Sequence, residues 1–131
     1  MFLERLDKDE RESLIELAYY AANYNKKFTI EQQHIIDNFK KELNLPYYKI
    51  KGLKLSEIVA NFKLKNKNLL FLEVYTLILA DKQYDTDEQD FIMKLQKELN
   101  ISEQKKEKIE QWIIDFIEIH NRALHIVDIN D

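Results

Sequence analysis

A chain of 131 residues without cysteine, and with one glycine and one proline, fits a single domain, residues 1–131, large enough to bury a core unaided. The missing cysteines exclude a disulfide framework, a thiolate metal site and a cysteine nucleophile. Scarce glycine and proline exclude a turn-rich β protein, while abundant Leu, Ile, Lys, Glu and Gln fit helices, so the expected class is all-α.

The formal charge of −4 favours neither nucleic acid nor an anionic membrane. Its distribution is uneven. From Pro46 to Asn68 six lysines (Lys49, Lys51, Lys54, Lys63, Lys65, Lys67) stand against Glu57, a local +5 that leaves −9 for the remainder. Glu4 and Arg5, directly after Met-Phe-Leu, deny the N-terminus the apolar core of a signal peptide. The longest apolar stretch, Leu69 to Ala80, is interrupted by Glu73 and Thr76 and is too short to cross a bilayer. A soluble, cytoplasmic protein with no membrane span is expected.

In chain order, Asp7 and Glu10 have the spacing of a capping box, in which each side chain accepts from a backbone N–H of the first helical turn. The helix beginning there carries Leu14, Leu17, Ala18, Ala21 and Ala22 at helical spacing, and its alanines predict the close approach of another helix. It ends near Tyr24 or Asn25. Thr29 with Gln32 repeats the capping pattern, and Ile35, Ile36, Phe39 and Leu43 supply the next buried face until Asn44-Leu45-Pro46 stops it.

Within the basic segment Gly52 is the permissive hinge, and Ser56 is placed to cap a short helix carrying Ile58, Val59 and Phe62. From Asn66 or Asn68 a further helix is apolar nearly all round between Leu69 and Leu79, which predicts a central, buried element, with Glu73 first at its rim and, as the alternative, facing a functional cleft. Beyond the carboxylates of Asp81 to Glu88, an amphipathic helix carries Phe91, Ile92, Leu95 and Leu99. Ser102 then caps a long last helix with Ile109, Trp112, Ile113, Phe116, Ile117 and Leu124 on its inner face, followed after about His125 by a tail.

Residues 14–45 laid on residues 70–101, an ungapped offset of 56, agree at nine of 32 positions, including Lys41-Glu42-Leu43-Asn44 against Lys97-Glu98-Leu99-Asn100. Phe28 falls on Tyr84, Thr29 on Asp85, Gln32 on Glu88 and Ile36 on Ile92. A helix, tight loop, capped helix unit thus occurs twice. The chain is expected to fold as about seven helices built from two pseudo-symmetric repeats joined by the basic segment 46–68.

The second copy, Ala80-Asp81-Lys82-Gln83-Tyr84-Asp85-Thr86-Asp87-Glu88 followed by Phe91-Ile92 and Leu99-Asn100-Ile101, resembles the repeat unit of the tellurite-resistance TerB family and its TerB-like relatives. Asp81, Tyr84, Asp85 and Glu88 fill the places that this unit expects. The departures are Lys82 in place of the usual glycine, and Asn25 and Gln32 in the first copy where the family tends to carry Asp and Glu. The resemblance spans roughly Leu14 to Trp112. It implies a compact helical domain associated with stress response and proposed to bind a divalent metal through acidic residues.

Asp81, Asp85 and Glu88 would converge on a hard cation if a three-residue loop joins antiparallel helices, and their oxygens suit calcium or magnesium. The competing explanation needs no metal: Asp85 and Glu88 are themselves a capping box, and carboxylates in a first turn are what the helix dipole favours, while that dipole opposes a cation.

The lysines, Lys49, Lys51 and Lys54 among them, with Tyr47, Tyr48 and Phe62 interleaved, could touch phosphates of a nucleic acid or lipid, but such a run reads first as a solvated face or as a partner of the protein's own acidic surface, and no nucleic-acid partner is expected. His34, His120 and His125 lack the spacing of a helical zinc pair, and His120 reads as a partly buried helix-face residue. No nucleophile-base pair or cofactor loop supports catalysis. The sequence thus points to a non-enzymatic binding module with a protein partner. A divalent cation in the second loop is one mode, and a metal-independent interaction scaffold is the other.

Overall fold

Residues 3–24, 30–80 and 86–128 are described by the computed structural model, without the side chains of residues 31, 77 and 80. Among the described residues the chain forms six α-helices and no strand: α1 (Lys8–Asn23), α2 (Ile30–Glu42), α3 (Leu55–Ala60), α4 (Lys67–Ala80), α5 (Thr86–Glu98) and α6 (Glu103–Asp128). Two 3-10 turns, Leu3–Arg5 and Leu64–Asn66, precede α1 and α4. The all-α class stands, with six α-helices among the described residues against the expected seven or so. None of them is long and apolar enough to cross a membrane.

Local chemistry sets several boundaries. Asp7 Oδ1 accepts from the Glu10 N–H at 2.9 Å while Glu10 Oε1 accepts from the Asp7 N–H at 3.1 Å, so the capping box at α1 is complete. Ser102 Oγ accepts from the Lys105 N–H at 3.1 Å at the start of α6. Ser56 does not cap α3: the helix starts one residue earlier, at the buried Leu55, behind an extended Lys54 that offers no side-chain cap. The capping residues proposed at Thr29 and Asp85 lie outside the described residues.

The second helix of each sequence repeat keeps the 56-residue register, whereas α1 and α4 start 59 residues apart and end 57 apart. α2 and α5 begin at residues 30 and 86 and end at 42 and 98, both pairs 56 apart. Each is closed by a left-handed asparagine, Asn44 at φ 62° and Asn100 at φ 56°. The closing bonds also match. Asn44 donates to Lys41 O and Leu45 to Lys40 O, while Asn100 donates to Lys97 O and Ile101 to Gln96 O. This is the Schellman arrangement, which satisfies last-turn carbonyls, and asparagine tolerates the left-handed backbone better than most non-glycine residues.

Packing follows the apolar stripes. α1 lies against α2 and α3, α3 also against α5, and α4 against α5, α6 and the turn at Leu64–Asn66. Leu14 and Ile15 of α1, Leu70, Phe71, Val74 and Tyr75 of α4, and Phe91, Ile92 and Leu95 of α5 are buried in one core. α1 and α5 also meet through Tyr20, Tyr24 and Phe91, whose ring centroids lie 5.6 to 6.2 Å apart.

Three expectations need correcting. The alanines of α1 leave space on the α4 side: α1 lies against α2, while Ala18, Ala21 and Ala22 line a cavity of about 180 Å³ together with Val74 and Ile78. Ile35, at the edge of that cavity, is 62% exposed rather than buried. On α6 only Ile109 and Ile113 are buried; Trp112 and Leu124 are exposed, and the helix continues through the expected tail to Asp128. With 26 residues against the 14 of α4, α6 is about 39 Å long and outruns its neighbour.

Candidate interaction surfaces and the acidic loop

Of the residues proposed for a cation, Asp81 and Asp85 lie outside the described residues. Glu88 is half-buried in the first turn of α5, next to the exposed Asp87. Among the described residues no three of His, Cys, Asp and Glu gather as a metal would require. Glu73 is half-buried on α4, and Lys49, Lys51 and Lys54 are exposed.

Glu88 instead borders the cavity beside α1. The same lining includes Gln32, its equivalent 56 residues earlier. Two further pairs at the same offset, Ala18 with Val74 and Ala22 with Ile78, face the same space. One amide and one carboxylate thus flank an otherwise apolar cavity shared by both units.

The basic segment is held by its backbone. Glu16, 1% exposed, accepts from the Tyr48 hydroxyl at 2.5 Å and from the N–H groups of Lys51, Gly52 and Leu53 at 2.8, 3.1 and 3.3 Å. Gly52 makes this possible at φ 72°, where an L side chain is strained. Burial is the largest influence on Glu16 and opposes its ionisation, but the hydroxyl and the three N–H groups together outweigh it and hold the carboxyl below its ordinary value. Burial, then the hydrogen bond to Glu16, pushes the Tyr48 hydroxyl above its own.

Glu10 closes the other end. Fully buried, it accepts at Oε2 from the Lys63 N–H at 3.1 Å and from Asn66 Nδ2 at 2.7 Å. Asn66 is also the residue 56 positions after Glu10. Sequence reasoning gave Glu10 a capping role and passed over Glu16. The available signal was spacing, since Glu10 lies four and seven residues before Leu14 and Leu17, on the buried stripe itself.

The far half of α6 is the other unexpected surface. Trp112, Phe116 and His120 stack in sequence, with centroids 5.4 and 6.2 Å apart and ring planes 13° and 15° from parallel. His120 is exposed rather than partly buried, as is every residue from 118 to 128. Ile119, Leu124, Ile126 and Val127 nevertheless repeat at helical spacing, and their exposures run from 47% to 77%. Glu118 and Arg122 form an ion pair at 2.9 Å on the polar side. No family model, curated protein or solved structure matches the chain.

Proposed function

We propose that this chain is a non-enzymatic, TerB-like binding module of the stress-response type, whose two helix-loop-helix units are related by a pseudo-twofold axis, and that it docks a protein partner through the projecting half of α6. The observation that carries the docking reading is the fully exposed run 118–128, which keeps an apolar face that nothing in the described structure covers. That face, continued from Phe116, occupies about half of the helix circumference, wider than a coiled-coil seam, and fits a groove between two helices of the partner. The shared register of α2 and α5, the Glu10 to Asn66 hydrogen bond and the three offset pairs around one cavity support the axis, since equivalent residues meet where an axis passes between them.

A photo-crosslinking amino acid placed at Ile119 or Ile126 tests the reading, with Asn121 and His125 on the polar side as controls. The expected result is one shared adduct from the apolar positions, unaffected by chelator and absent from the controls. No adduct, or the same adducts from both faces, overturns the docking surface. An adduct that requires calcium or magnesium transfers the function to the Asp81, Asp85 and Glu88 loop.

A further inference from the structure

The strongest feature outside that surface is a cavity of about 310 Å³ where three distant parts of the chain meet. Arg5 comes from the first 3-10 turn, Lys65 from the second and Lys105 from the first turn of α6, and no acidic residue lines the space. Asn68 adds an amide, and Leu69, Leu72 and Ile109 supply an apolar floor. Lys65 and Lys105 make no ion pair among the described residues. In a chain of net charge −4, a concave site bordered by Lys65 and Lys105, neither of them in an ion pair among the described residues, carries local positive potential.

The adjoining helix adds to this potential. α4 starts at Lys67 with no acidic residue in its first turn, although the positive end of a helix dipole favours negative charge there. Lys65 and Lys67 stand beside that end, while the buried Glu10, which accepts from Asn66 there, does not line the cavity.

We propose that this cavity binds a phosphate-bearing ligand with a short apolar portion, Lys65 and Lys105 contacting the phosphate oxygens with Arg5 and the floor holding the apolar part. A phosphate presents several acceptor oxygens to such a set of donors, and charge-assisted hydrogen bonds are the stronger kind. Cavities of this order of size, mostly apolar with a few converging polar groups, are typical of small-molecule sites. The same chemistry is offered by a soluble phosphomonoester and by the headgroup of an anionic lipid.

The test is an amide NMR titration of the full chain with octyl phosphate, with octyl sulfonate and sodium chloride as controls for charge and ionic strength. A parallel sedimentation assay uses vesicles of phosphatidic acid in phosphatidylcholine, and of phosphatidylcholine alone. Saturable shifts at residues 67–69 and 103–105 with octyl phosphate are expected, weakened about tenfold or more by Lys65→Gln with Lys105→Gln. Lys49→Gln with Lys51→Gln, outside the cavity, should leave them unchanged.

Sedimentation with phosphatidic acid that the first pair of substitutions abolishes assigns the headgroup as the source. Octyl phosphate binding without sedimentation assigns a soluble ligand. No response to either probe, a response matched by the controls, or one that survives Lys65→Gln with Lys105→Gln overturns the proposal. The substituted residues are exposed, and unchanged thermal unfolding will show that each variant is folded.

Discussion

Glu16 is the residue on which α1 and the connecting segment most depend. Glu16→Ala removes the acceptor of one hydroxyl and three N–H groups together, and a loss of about 2–4 kcal/mol in urea unfolding is expected. Tyr48→Phe removes one donor of the four and should cost about 1.5–3 kcal/mol. The pH dependence has two limbs. Because the folded Glu16 carboxyl lies below its ordinary 4.5, its contribution is complete above that value and is lost as pH falls through the depressed one. Tyr48 lies above its ordinary 10.0, so its contribution is complete below pH 10.0 and is lost as pH rises beyond. Unfolding midpoints measured across pH should therefore be highest between these limits, with Tyr48→Phe reducing the alkaline limb, which Tyr24, Lys63 and Lys94 share, and weakening the acid one, which Asp7 shares.

At the scale of the element, α6 divides at about Phe116. Its first half shares the core, so Ile113→Ala should cost about 2–5 kcal/mol. Ile126→Lys, at a position 71% exposed, should change stability by less than about 0.5 kcal/mol while removing partner binding. Hydrogen exchange gives a second check: amides of residues 119–128 should exchange close to the unsupported-helix rate, since every residue there is exposed among the described residues.

The second loop makes a different prediction. A cation held by Asp81, Asp85 and Glu88 would shift amides there in a calcium or magnesium titration while Asn25 to Gln32 stay still, because amide oxygens are the poorer ligands. Flat titrations with both ions leave α5 with a carboxylate-rich first turn and no metal role.

For the molecule as a whole, periodicity made the class and the helices legible. α4 was found because it is apolar nearly all round, and the left-handed asparagines that close α2 and α5 sit inside the repeated Lys-Glu-Leu-Asn. Partner assignment was less legible. A one-dimensional pattern marks a face as apolar without saying what covers it, so Phe116 and Leu124 read as core and proved half-buried and exposed. The longer-range roles of Glu10 and Glu16 were obscured for a related reason: apart from the Asp7 N–H of the capping box, their donors lie 32 to 56 residues away, and most are backbone groups that every sequence contains. Lys49, Lys51 and Lys54 conform to a solvated face, and Lys49→Gln, Lys51→Gln and Lys54→Gln together should shift stability by less than about 1 kcal/mol in thermal or urea unfolding.

A chain whose two sequence repeats are joined by a connector invites exchange between molecules, in which each chain lends its second repeat to a neighbour. Such exchange needs a hinge that can open. Here Glu16 and Glu10 pin the connector at Lys51 to Leu53 and again at Lys63 and Asn66, and α4 begins one residue later, at Lys67. No slack stretch is left between the second pin and the next helix. Glu10→Gln with Glu16→Gln should restore that slack, and interlocked dimers should then appear by size-exclusion chromatography after concentration and refolding, where the native chain shows none.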